Sequence, residues 1–97
     1  MSGATLKKSL PSYTPEHFSG VAAESWVLGR VSSMSGGQRL SGNTLLEEVC
    51  RLWPRHDSHV LANELLRAIV ASQRAFGTFE LLGNCLSLVN LTIKRIA

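Results

Sequence analysis

Residues 57–97 read DSHVLANELLRAIVASQRAFGTFELLGNCLSLVNLTIKRIA, and the way this stretch divides decides the fold. It divides at Phe76-Gly77-Thr78. Before that point Leu61, Ala62, Leu65, Leu66, Ala68, Ile69 and Phe76 recur at helical spacing, with Asn63, Arg67 and Arg74 opposite them. Asp57 or Ser58 supplies an N-cap, Gly77 a stop, and Thr78 the next cap. After it, Phe79, Leu82, Leu86, Val89, Ile93 and Ile96 fall on one helical stripe. Leu81, Cys85, Leu88 and Thr92 form a second stripe beside it, leaving a polar strip of Glu80, Ser87, Asn90 and Lys94 with Gly83 next to them. The reading is two long helices, near 58–76 and 79–96, folded back as an antiparallel hairpin.

The width of the last helix has a consequence. A helix packed on one neighbour needs an apolar arc of roughly 100°, and the two stripes cover nearly twice that. The segment is therefore expected to be buried on two sides, either between chains or under the two helices that precede it.

Working outward, Thr44-Leu45-Leu46-Glu47 has the form of a capping box. Leu45, Leu46, Val49, Cys50, Leu52 and Trp53 share a face until Pro54 ends the helix, which is expected near 44–53. Thr14-Pro15-Glu16 opens another helix, near 15–31, with Phe18, Val21, Ala22, Trp26 and Leu28 on one side and the small residues Ser25 and Gly29 among them. Residues 32–42 are rich in Ser and Gly and read as a linker. Residues 1–13 lack periodicity and read as a flexible arm. The expectation is a small all-α domain of four helices over 14–97, with a C-terminal antiparallel helical hairpin, and oligomeric.

Composition narrows the function. A chain of 97 residues holds one domain with a modest core, so association is an economical way to bury more. Charged residues make up 18%, below the level of about 25% usual for soluble chains, which points to a surface covered by a partner. The formal charge of +3 permits contact with an acidic partner or nucleic acid, but the basic residues are scattered and are read first as a solvated face. Cys50 and Cys85 lack disulfide or metal spacing and read as small buried hydrophobes in a reducing compartment. With no apolar run near the roughly 18 residues of a membrane span, and no signal-peptide pattern, a cytoplasmic location is expected. Leu, Ser and Arg, the amino acids with six codons each, number 15, 12 and 7. That bias fits a small accessory protein of viral or phage type, though helix and cap preferences produce the same excess of Leu and Ser.

Catalytic patterns are missing. His56-Asp57-x-His59 gathers ligand-type residues, but the spacing matches no standard metal site and Asp57 is better used as a cap. Adjacent Glu47 and Glu48 point about 100° apart on a helix, which does not suit an acid/base pair. No nucleophile elbow, zinc-protease motif or phosphate loop occurs. No enzyme, cofactor, metal or small-molecule substrate is indicated.

Two functional expectations remain. The first is a non-enzymatic interaction or assembly factor, self-associating or binding a protein partner through apolar helix faces. Trp26, Trp53, Leu81, Cys85, Leu88 and Leu91 are its candidate interface, with a core role as the alternative for both tryptophans. The second is a basic helical nucleic-acid binder that reads shape, as for double-stranded RNA. Arg51, Arg55, Arg67, Arg74, Lys94 and Arg95 would then track phosphates. Base reading by a helix-turn-helix is not favoured, because the helix from 58 lacks an Asn, Gln and Arg cluster near its start.

Overall fold

The computed structural model describes residues 17–84 and 86–96. The chain forms α1 (Gly20–Ser32), β1 (Arg39–Ser41), α2 (Gly42–Leu52), α3 (Ser58–Phe76), β2 (Phe79–Gly83) and β3 (Leu91–Arg95), with a 3-10 turn at Leu88–Asn90 before β3. This mixed α/β architecture overturns the all-α, four-helix expectation. The segment expected to be a fourth helix over 79–96 is a β-hairpin, so the C-terminal helical hairpin does not exist.

The physical reason lies in the period of the apolar residues. Phe79 is buried and Glu80 exposed, and Leu91 and Ile93 are buried around a half-buried Thr92. That alternation places one face of each strand on the core. Drawn on a helical wheel at 100° per residue, two such segments spread into one very wide apolar arc. The excess width was thus a sign of strands. Gly83 and Asn84 fix the turn. Gly83 has φ of +87°, and a Cβ there would overlap the Asn90 carbonyl oxygen. The Asn84 side-chain oxygen accepts from the Leu86 amide at 2.8 Å, a local bond that competes with helix continuation.

The sheet is antiparallel in the order β1-β3-β2. Leu40, Ile93 and Leu81 lie opposite one another across the three strands and pack on the core, while Arg39, Lys94 and Glu80 occupy the next row. Residues 32–42, expected to be a linker, contribute β1 and the buried Met34. The turn at 35–38 is tied to β3: the Gly37 amide donates to the Arg95 carbonyl at 2.8 Å, and the Arg95 amide to the Gln38 carbonyl at 2.9 Å.

In the helical half, α3 is capped by Asp57, whose carboxylate accepts from the His59 amide at 2.7 Å, and it ends at a left-handed Gly77. The cap of α2 is Ser41, which accepts from the Thr44 amide at 3.1 Å, so the helix starts at Gly42 and not at 44. Gly42 is buried so tightly that a Cβ would overlap the Leu88 carbonyl oxygen. This contact seats the start of α2 on the loop of the hairpin. Helix α1 starts at Gly20 rather than near 15, after an extended Ser19, and buries Ala23, Val27 and Val31 while Val21 is exposed. Its core face is therefore displaced from the one expected. Residues 1–13 and Thr14-Pro15-Glu16 lie outside the described residues.

Phe18 sits between the two tryptophans. Its ring centroid is 4.7 Å from that of Trp53 and 5.9 Å from that of Trp26, and this cluster closes the end of the core where α1 begins. Helix α1 packs mainly on α3. Helix α2, a turn over residues 53–57, and α3 make a helix-turn-helix. The β2–β3 hairpin follows it and is called the wing below, with β1 on the far side of β3.

Candidate interaction surface

The helix-turn-helix and its wing enclose a trough. Three adjoining depressions share their walls. One of about 500 Å³ runs along α2 past Leu46, Glu47, Cys50 and Arg51. The second, about 250 Å³, crosses from Asn43 and Leu46 to Ala62 and Leu66 beneath the wing residues Leu86 and Val89. A third of about 440 Å³ continues along α3 by Val70 and Ala71 to Arg74. Asn43 and Leu46 join the first to the second, and Asn63, Leu66 and Leu86 join the second to the third.

The trough exists because α3 is apolar on more than its core face. Leu61, Leu65, Ala68 and Ile69 fill the core. Ala62, Leu66 and Val70 are left half-buried on the flank. Over them stand Leu86 and Val89, which are 86% and 68% exposed. The loop that carries them is bounded by turn residues, and Leu88, its one buried apolar side chain among the described residues, belongs to the core beside Gly42. Two large apolar side chains left in water are an arrangement that the solvent penalises and a partner relieves.

Of the residues expected to form the protein interface, Leu88 lines this surface and Trp26, Trp53, Leu81 and Leu91 do not. Trp53 is buried at 4% exposure, Leu88 at 6% and Leu91 at 1%, all in the chain's own core. Trp26 and Leu81 are half-buried and pack on that core. Cys85 lies outside the described residues. Sequence reasoning missed Leu86, Val89, Leu46 and Leu66 as candidates for a surface. The available signal was Gly83-Asn84 together with Ser87 and Asn90: turn residues that make 84–90 a loop, where an apolar side chain has no core to face.

The basic residues separate into two groups. Arg95 is structural: its Nη1 donates to the carbonyls of Val31, Ser32 and Met34 at 3.0, 2.9 and 2.8 Å, at the end of α1 and in the turn that follows it. Arg67 is also committed. It donates to Glu24 at 3.0 Å, to Glu64 at 3.2 Å and to the Gly20 carbonyl at 3.2 Å, linking α3 to α1. The hydrogen bond to the Glu24 carboxylate leads the effects that raise the Arg67 pKa, against the opposing effect of partial burial. Arg30, not among the candidates, makes a two-pronged pair with Glu48 at 2.7 and 3.0 Å and ties α1 to α2. That hydrogen bond raises its pKa, outweighing desolvation. The second group is Arg51, Arg55, Arg74 and Lys94, which have no ion pair among the described residues. Arg51 and Arg74 stand at opposite ends of the trough, and Lys94 lies on the sheet, so the six residues do not form one track.

No metal centre is assembled from His56-Asp57-x-His59. Asp57 caps α3, and His56 packs edge-on against His17 with centroids 5.8 Å apart. Among the described residues no group of three or more His, Cys, Asp or Glu side chains converges. None of the helices described is long and apolar enough to cross a membrane. No protein-family model, curated protein or solved structure matches the chain.

Proposed function

We propose that this chain is a non-enzymatic interaction module that binds protein through the trough between α2, α3 and the wing. The observation that carries the reading is the pair Leu86 and Val89, exposed between β2 and β3 and lining one depression with the half-buried Leu46, Ala62 and Leu66. Apolar anchors beside a preformed depression are the usual energetic centre of a protein interface. Helix-turn-helix connectivity favours a second reading, nucleic-acid binding, which would employ Arg51, Arg55 and Arg74. Against it, the wing tip offers leucine and valine where a phosphate contact needs cations, and Arg67 and Arg95 are engaged internally. Fold alone does not decide between them.

A photo-crosslinking amino acid placed at Leu86, compared with one at the exposed Val21 on α1, tests the reading in native cells. Protein adducts from position 86 and none from 21 are expected. Nucleic-acid adducts from 86, or none from either position, would refute it. A gel shift on duplex RNA and DNA at two salt concentrations gives the same discrimination in vitro.

A further inference from the structure

The sheet leaves one edge open. The Ile96 amide donates to the Thr78 carbonyl at 3.1 Å, and the Asn84 amide to the Asn90 carbonyl at 3.1 Å. Between these two points β2 and β3 pair without a break, so Glu80 and Leu82 turn their backbone groups to β3. Phe79 and Leu81 therefore turn theirs to the other side. No hydrogen bond among the described residues reaches those amides and carbonyls. They repeat about every 6.8 Å along the strand, the spacing that another extended backbone matches. The opposite edge is less open, because β1 has 3 residues and runs directly into α2. The usual protections of an edge are also missing from β2. Residues 79–83 hold no proline and no lysine, and the pairing with β3 has no bulge. Their one charge is Glu80, exposed and without an ion pair among the described residues.

We propose that the outer edge of β2 binds an extended segment of another protein as a fourth strand, with a lysine or arginine of that segment opposite Glu80. Each row of the sheet sets what it accepts. Leu40, Ile93 and Leu81 form a row on the core side, which an apolar residue of the incoming strand extends. Arg39, Lys94 and Glu80 form the next row, on the other face, and its last member is the carboxylate. A cation beyond it continues the row with opposite charges adjacent. Backbone hydrogen bonds supply the affinity, and the alternating side chains supply the selection. The same carboxylate argues against a second copy of this chain. Two-fold pairing of β2 with itself must match outward-facing residues with one another. Centred on Glu80, it sets the two carboxylates directly opposite; centred on Leu81, it sets them diagonally on one face, and like charges select against both. The edge is separate from the trough, and this inference does not rest on what the trough binds.

Nuclear magnetic resonance titration of the intact, isotope-labelled chain tests the proposal, with acetyl-Thr-Val-Lys-Val-Thr amide as the probe. Its central lysine falls opposite Glu80 and its valines opposite Phe79 and Leu81. Saturable shifts of the Phe79 and Leu81 amides, with slower hydrogen exchange at both, are expected by about 5 mM probe, the range of a short strand that binds weakly. Glutamate in place of the probe lysine should weaken binding about fivefold. The Glu80→Lys chain, altered only at an exposed side chain, should reverse that preference. Methylating both valine nitrogens of the probe should abolish binding, whereas methylating the lysine nitrogen, which points away from the edge, should not. Unmoved Phe79 and Leu81 amides overturn the proposal, and so does binding indifferent to the valine methylation or to the charge exchange. Concentration-dependent shifts of the β2 amides without any probe would show the edge taken by a second copy, which also overturns it. Shifts confined to α2, α3 and Leu86 would put the probe in the trough, refuting the edge and leaving the trough reading in place.

Discussion

Arg95 shows why a charge read from sequence is not yet a site. In the string Lys94-Arg95 the two residues look equivalent, and both suit a phosphate track. In the fold, strand alternation turns them to opposite faces. Arg95 reaches the carbonyls of Val31 and Ser32 at the end of α1 and of Met34 just beyond it, and its cation also meets the negative end of the helix dipole. The contact joins β3 to α1. Arg95→Ala removes three hydrogen bonds to a charged donor and is predicted to cost about 2 kcal/mol in urea unfolding. Arg55→Ala, which removes an exposed residue with no ion pair among the described residues, should stay within about 0.5 kcal/mol. Equal costs for the two substitutions would show that the Arg95 clamp does not contribute.

At the scale of elements, legibility followed the range over which each signal acts. Caps and stops are local, and Asp57, Pro54 and Gly77 mark the ends of α2 and α3 in the sequence much as they do in the structure. The start of α2 is also local, but two hydroxyls compete for it. Thr44 satisfied the capping-box pattern, yet Ser41 takes the role because β1 pairs with β3 and delivers residue 41 in an extended conformation. Ser41→Ala is accordingly predicted to destabilise the fold by about 1 kcal/mol. The Ser41 hydroxyl also lies 2.9 Å from that of Thr44, so a Thr44→Val substitution should cost less than Ser41→Ala. Denaturation midpoints of the two variants decide the assignment. Strands 79–83 and 91–95 could not be read the same way, because the partner of each strand is remote and apolar residues at 79, 82, 86, 89, 93 and 96 satisfy a helical period by coincidence of two shorter alternations. The trough was legible only in its parts: Leu46 and Leu66 sat on expected helix faces, and their apposition to Leu86 needed the hairpin.

Whole-molecule stability depends on which side of the wing loop a leucine faces, and Leu86 and Leu88 provide a matched pair two residues apart. Leu88 is 6% exposed and sits where the loop meets Gly42 at the start of α2, so the sheet and the helix-turn-helix are joined through it. Small domains hold only about 5–15 kcal/mol of net stability. Placing a carboxylate at Leu88 forfeits the buried side chain and leaves a charge without a partner, a combined cost of about 4 kcal/mol or more. Leu88→Asp is therefore predicted to unfold the chain or to lower its melting temperature steeply, with loss of helical circular dichroism. Leu86→Asp introduces the same group into water and should leave the melting curve close to that of the parent, while removing an anchor from the face proposed to bind protein. If both substitutions melted the domain alike, the wing tip would be part of the core, and the apolar surface on which the functional reading rests would not exist. If neither did, the loop would not be seated on α2, and the trough beneath it would have no fixed wall. Only an unequal outcome, with collapse at 88 and tolerance at 86, fits a wing that is anchored on one side and presented on the other.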